Sequence, residues 1–184
     1  MTPEEQFDYV FASAMQDRQA LLHFLNGVSA EQAQWHPPDG EWSILEGLEH
    51  IMLTEEFFRS NLLTILREAE STHTWDTAPA NPVKMSPEAL RRREQGFVAA
   101  PDVLVPRGGR DFQSMCQALL AERQATREAV WGYRARDLSR LLFPHARYGQ
   151  RNIYDVIEYS GIHDALHCEQ MGRVTRSPGY SAHA

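Results

Sequence analysis

The sequence predicts an all-α protein, a four-helix bundle, on three observations. Four long segments repeat apolar residues at the three-and-four spacing of one helix face. Each opens on a residue that can cap a helix: Thr2, Ser43, Asp111 and Asn152. No stretch alternates convincingly as a strand, and no internal repeat is visible. With 184 residues the chain can bury a core without disulfides or a metal staple.

The first helix starts at Thr2-Pro3-Glu4-Glu5. Threonine can accept from a first-turn amide, proline sits where its missing N–H is not needed, and glutamate can reach back to the cap. Phe7, Val10, Phe11, Met15, Leu21, Leu22 and Leu25 follow at helical spacing, broken at Arg18, and Asn26-Gly27 closes the helix. Ser29 with Gln32 marks one short helical turn. The next stretch, WHPPDGEW, is too rich in proline and glycine for helix or central strand. Ser43 with Glu46 repeats the capping box and opens a second long helix to about Glu70, carried by Ile44, Leu48, Ile51, Met52, Phe58, Leu62, Ile65 and Leu66.

STHTWDTAPANPVKMSP reads as loop, and Ser86-Pro87-Glu88 as the start of a short helix ending near Gly96. Pro101 to Gly109 reads as loop turning on VPRGG, with FVAAPDVLVP as an alternative extended crossover. Asp111 caps a third long helix carrying Phe112, Met115, Leu119, Leu120, Val130 and Trp131, which fades from Gly132 to Arg136. PHARYGQ reads as loop. Asn152 caps the fourth long helix, where Val156, Ile157, Ser160, His163, His167, Gln170, Met171 and Val174 share one broad face. SPGYSAHA reads as a flexible tail, giving one domain over residues 1–176 and a tail over 177–184.

Composition removes several function classes. At 42% apolar and 10% aromatic residues the chain is too hydrophobic for disorder. No run approaches the roughly 18 uncharged apolar residues of a membrane span. The first residues carry acid where a secretory signal carries base, so a cytoplasmic protein is expected. A net charge of −7 argues against nonspecific nucleic-acid binding, which needs a basic face. Arg91-Arg92-Arg93 reads as a solvated helix face. Cys116 and Cys168 form no paired pattern and read as free thiols.

One motif carries chemistry. His163-Asp164-Ala165-Leu166-His167 places two imidazoles one helical turn apart on the same face. Their β-carbons would lie about 6 Å apart, close enough for both rings to reach one ion at about 2.1 Å. Ser160, Gln170 and Val174 share that inward face, while Asp164, Glu169 and Arg173 are expected to lean outward. Burying two unpaired imidazoles is unfavourable, and a metal ion satisfies both at once. The same spacing also arises on helix surfaces without a metal. On the second long helix Gly47, His50, Thr54, Phe57 and Asn61 form a more polar stripe, which faces either a central site or water.

WHPPDGEWSILEGLEHIMLTEEFF, with its tryptophan turn, W-S-I helix start and histidine behind an acidic residue, resembles the DinB/YfiT-like superfamily. GQRNIYDVIEYSGIHDALHCEQMGRV resembles that family's last helix, and VPRGGRDFQSMCQALLAERQATREAV its third helix and preceding turn. The resemblance implies that His50, His163 and His167 hold one divalent metal ion, zinc or nickel foremost. It also implies an up-down-down-up helix order and a homodimer. It implies a metal-dependent enzyme acting on a small-molecule substrate in stress response or detoxification, a thiol transferase or hydrolase, with a low-molecular-weight thiol as a candidate co-substrate.

A site of three neutral histidines leaves positions open for water or substrate, the pattern of catalytic rather than structural zinc. A non-catalytic metal-binding or small-ligand sensor protein is the alternative. HDALH is also close to the zincin motif, but aspartate replaces the glutamate base and only His183 lies downstream as a third ligand, so a peptidase is disfavoured. Gln170 is a candidate to orient a bound water, or simply a buried polar residue bonded to a neighbour. Trp35 and Trp42 are candidates for a pocket mouth or for the edge of a core. His36, His73, His145 and His183 lie in loops or the tail and are given no role.

Overall fold

A computed structural model describes residues 1–81 and 99–180. Four long helices make up the body: α1 (Pro3–Leu25), α3 (Ile44–Ser71), α5 (Phe112–Val130) and α6 (Ile153–Val174). Two short ones, α2 (Ala30–Gln34) and α4 (Thr74–Thr77), sit between them. The helix expected after Ser86 lies outside the described residues.

The starts form as the capping chemistry dictates. Thr2, Ser29 and Ser43 each accept from the amide three residues on, while Glu5, Gln32 and Glu46 accept in return from the cap amide. Asp111 accepts from Ser114 N–H and Asn152 from Asp155 N–H.

Helix directions follow from specific contacts. Tyr154 donates to the Pro3 carbonyl while Arg18 reaches Asp164, so α1 and α6 run parallel. Glu49 meets Arg107, Arg59 meets Glu122 and Glu70 meets Tyr133, so α3 and α5 run parallel. Arg18 meets Leu119 while Asp8 meets Arg127, so α1 and α5 run antiparallel. His50 meets His167 while Phe58 meets Tyr159, so α3 and α6 also run antiparallel. In chain order the long helices therefore run up, down, down, up, and their contacts close a ring.

The interior is layered. One apolar cluster joins Phe7, Phe11, Phe58, Leu62, Val130 and Ile157 at one end. A second joins Leu21, Leu25, Ile44, Leu48, Leu119 and Met171 at the other. Between them lies a buried polar layer contributed by all four long helices: Arg18, Glu55, Arg123 and Asp164. Gly161 lets α1 and α6 approach closely, since a β-carbon there would stand 2.6 Å from Ala14 Cα.

Three expectations need correction. PHARYGQ is not loop throughout: β1 (Leu142–His145) and β2 (Gly149–Asn152) form an antiparallel hairpin pairing Leu142 with Asn152 and His145 with Gly149. Its four-residue strands contain Pro144 and bury Phe143 and Asn152 at single positions, too few to give a periodic signal. FVAAPDVLVP contains no strand over its described part; Asp102–Leu104 is a 3₁₀ turn. At the other end of the chain, Tyr180 is buried against Trp35, ring centroids 5.6 Å apart, so the tail is anchored at that residue while Pro178 and Gly179 are exposed. No described helix is long and apolar enough to cross a membrane.

Candidate metal centre

His50 lies on the inner face of α3, and His163 and His167 lie one turn apart on α6. Antiparallel packing of these helices brings the three rings together. His163 Nε2 is 3.3 Å from His50 Nε2 and 3.2 Å from His167 Nε2. Among the described residues this is the group of histidine, cysteine and acidic side chains close enough together to hold a metal ion.

The hydrogen bonds behind the rings orient them. His50 Nδ1 lies 2.8 Å from the Leu104 carbonyl, which can only accept, so Nδ1 carries the proton and Nε2 presents a lone pair. His167 Nδ1 lies 2.8 Å from Gln170 Oε1, with the same consequence. At least two lone pairs therefore point at the same small volume. Three nitrogens at about 2.1 Å from one ion with tetrahedral angles are about 3.4 Å apart. The two separations from His163 Nε2 are close to this, and the three donor atoms all lie within 4.8 Å of one another, so the donor set and its geometry fit a divalent cation.

A second tier holds the first. Leu104 belongs to the 3₁₀ turn before VPRGG, and Glu49 anchors that loop. One Glu49 oxygen accepts from Arg107 N–H at 3.2 Å and the other from Gly108 N–H at 2.9 Å. Glu49 is buried, adjoins His50 in sequence, and so fixes the loop that fixes the histidine's tautomer. Trp42 covers His50 with ring centroids 5.1 Å apart, and Tyr159 lies 5.8 Å from His163.

Electrostatics keep these imidazoles neutral. Burial holds His163 well below the usual histidine range, reinforced by His167 and His50. Burial, then repulsion from His50, lowers His167 to about 3, against the opposing bond to Gln170. Burial also lowers His50, more than the Leu104 carbonyl raises it. Neutral imidazole is the form that binds metal.

Asp164, expected to face outward, is 1% exposed. It accepts from Arg18 Nε at 2.7 Å and from Arg123 Nη2 at 3.0 Å. Glu55 pairs with both arginines as well, at 3.1 and 2.9 Å, and accepts from Thr126. The break in apolar spacing at Arg18 is thus a buried ion-pair position. Despite its own desolvation, Asp164 and Glu55 together raise Arg18. Desolvation of Glu55 is likewise outweighed, by Arg123 and Arg18, so its carboxyl stays below the usual range.

The remaining candidates sort out by position. Gln170 bonds to His167. Trp42 lies against the cluster, while Trp35 packs on Tyr180 away from it. Glu169 and Arg173 are exposed, as expected. Cys116 and Cys168 are free, and burial raises both thiols. His36 is exposed beside Glu46, His73 is an exposed residue at φ 53°, and His183 lies outside the described residues.

His145, given no role from sequence, is packed between Phe58, Tyr148 and Tyr159. Its Nδ1 accepts from the Arg147 and Tyr148 amides. Glu55 and Arg123 carry no signal in the sequence, Glu49 is marked only as the acidic residue before His50, and Arg18 only as a charge interrupting an apolar stripe.

No curated protein and no solved structure matches the chain. The family model described as the DinB superfamily matches residues 15–171, a span that contains all three histidines, Glu49 and the four buried charges. The chain belongs to the DinB superfamily.

Proposed function

We propose that the protein binds one divalent metal ion, zinc or nickel, through His50, His163 and His167, and is a metal-dependent enzyme of the thiol-transferase or hydrolase kind. The observation that carries this reading is the convergence of the three Nε2 atoms, with Nδ1 of His50 and His167 each committed to an acceptor behind the ring. A divalent ion there would supply a Lewis acid able to polarise a carbonyl, activate water or bind a thiolate. The chain's own contribution is to hold three neutral imidazoles in register; three protein ligands would leave the ion a further position for water or substrate. Neither cysteine is placed to close it: Cys168 is turned about 100° from His167 on α6.

The substrate is a small molecule and the co-substrate a low-molecular-weight thiol, with a role in detoxification or stress response in the cytoplasm. Metal analysis of the purified protein, followed by thiol-consumption and ester-hydrolysis assays against a panel of electrophiles, tests this. Metal-dependent turnover is expected. A stoichiometric metal with no turnover on any member of the panel favours the alternative, a metal or small-ligand sensor.

The working unit is proposed to be a homodimer. Phe57, Val103, Val105 and Leu120 are exposed apolar side chains on α3, on α5 or in the segment between them, and they support this reading. Light scattering should return twice the chain mass at micromolar concentration, and a monomer mass would remove the proposal.

A further inference from the structure

Thr54 is 5% exposed, and its Oγ1 has no hydrogen-bond partner among the described residues. A helical threonine commonly returns its hydroxyl to the carbonyl four residues back, as Thr64 does to Ser60 at 3.1 Å. Thr54 does not. A hydroxyl buried without a partner has lost its water and gained nothing in exchange.

The register of α3 against α6 locates this hydroxyl. His50, Thr54 and Phe58 are spaced four apart and lie on one stripe of α3. At one end of the stripe His50 meets His163 and His167, with centroids 5.2 and 4.8 Å away. At the other end Phe58 meets Tyr159 at 6.3 Å. Tyr159 and His163 are one turn apart on α6. Thr54 therefore lies in the α3–α6 seam at the level of His163, one turn from His50.

We infer that the Thr54 hydroxyl is the hydrogen-bond donor to an oxygen-bearing ligand in the open position of the three-histidine centre: a water molecule, or a carboxylate or carbonyl oxygen of a substrate. This rests on the metal-binding reading above. It assigns to Thr54 a positioning role, since a single donor beside the open position favours an acceptor oxygen there and sets its direction. It also explains why a polar side chain stands at an inward position between His50 and Phe58.

The test uses the full-length protein loaded with cobalt(II), whose visible spectrum reports ligands entering its coordination shell. Wild type, Thr54→Val and Thr54→Ser are each titrated with cobalt and then with acetate. Thr54→Val keeps the shape and removes the hydroxyl, while Thr54→Ser keeps it. The expected result for Thr54→Val is cobalt affinity within threefold of wild type and acetate affinity reduced about three- to tenfold, the size of one hydrogen bond. Thr54→Ser should restore acetate binding. The cobalt-free Thr54→Val protein should melt no lower than wild type, because an unpartnered hydroxyl has been removed.

Equal acetate affinity in wild type and Thr54→Val overturns the inference while leaving the metal centre intact. Loss of cobalt affinity in step with acetate affinity also overturns it, since Thr54 would then merely support the histidines. Failure of wild type to bind cobalt overturns the metal reading, and the inference with it. Should Thr54→Val not fold, Thr54→Ala removes the same hydroxyl without added bulk, and the same comparison decides.

Discussion

Two polar clusters meet at His163 and Asp164, adjacent residues of α6, and they are built on opposite principles. The four charges Arg18, Glu55, Arg123 and Asp164 satisfy one another: each carboxylate meets both guanidiniums, and the formal charges cancel. The three histidines do the reverse. Their Nε2 atoms converge on a common volume, at least two of them with lone pairs directed into it, and no described side chain supplies a cation there. A self-satisfied buried network holds helices in register. A convergent, incomplete one is a place for something from outside. Burial alone does not separate the two clusters; the sign and direction of the groups do.

The comparison breaks most readily on the charged side. Asp164→Ala leaves Arg18 and Arg123 buried with one carboxylate between them, and should destabilise the fold by about 3–5 kcal/mol. Urea unfolding by circular dichroism measures this. A loss under about 1 kcal/mol would mean that the tetrad is not the clamp its geometry describes.

Glu49 sharpens the other side. Glu49→Gln replaces one of two carboxylate acceptors with an amide donor facing a backbone N–H, loosening the loop that carries the Leu104 carbonyl. Zinc affinity should fall roughly tenfold, as it does when outer partners of metal-binding histidines are altered. The melting temperature of the metal-free protein should change little. Calorimetric titration reads the first quantity and a thermal scan the second; a change confined to melting would assign Glu49 to stability alone.

The smallest effect concerns His145. Burial, then the nearby Arg151 and Arg147, lowers its folded pKa to about 4. The unfolded chain would protonate it near pH 6.5. As pH falls from about 6.5 towards 4 the unfolded state takes up the proton first, so this contribution is complete above the unfolded pKa and is lost through that window. His145→Asn, which keeps an acceptor near the position of Nδ1, should lower stability less steeply than wild type between pH 6.5 and 4.5. Parallel slopes in denaturant titrations would contradict this.

Much of the fold was legible because it is local. Thr2, Ser29, Ser43, Asp111 and Asn152 announce their helices through side-chain-to-amide bonds spanning three residues. The apolar stripes identify inner faces for the same reason. Histidines 163 and 167 were legible as a pair, since one helix fixes their spacing. Placing His50 beside them needed either the fold or the family resemblance. What remained hidden depends on contacts across the chain. Asp164 stands off the face that carries the histidines and so reads as outward; its partners lie 146 and 41 residues away. The hairpin at 142–152 was hidden by its brevity, and His145 with it.

The central claim is that the histidine cluster is completed from outside while the bundle stands without it. Wild type and His163→Ala, each stripped of metal and then offered zinc, test it through bound zinc per chain and thermal unfolding by circular dichroism. Wild type should bind one zinc per chain and melt higher in its presence, by mass action. His163→Ala should bind none, melt cooperatively, and give the same transition with or without zinc. A His163→Ala protein that is unfolded at room temperature, or a wild type that takes up no zinc, nickel or cobalt, would contradict the claim.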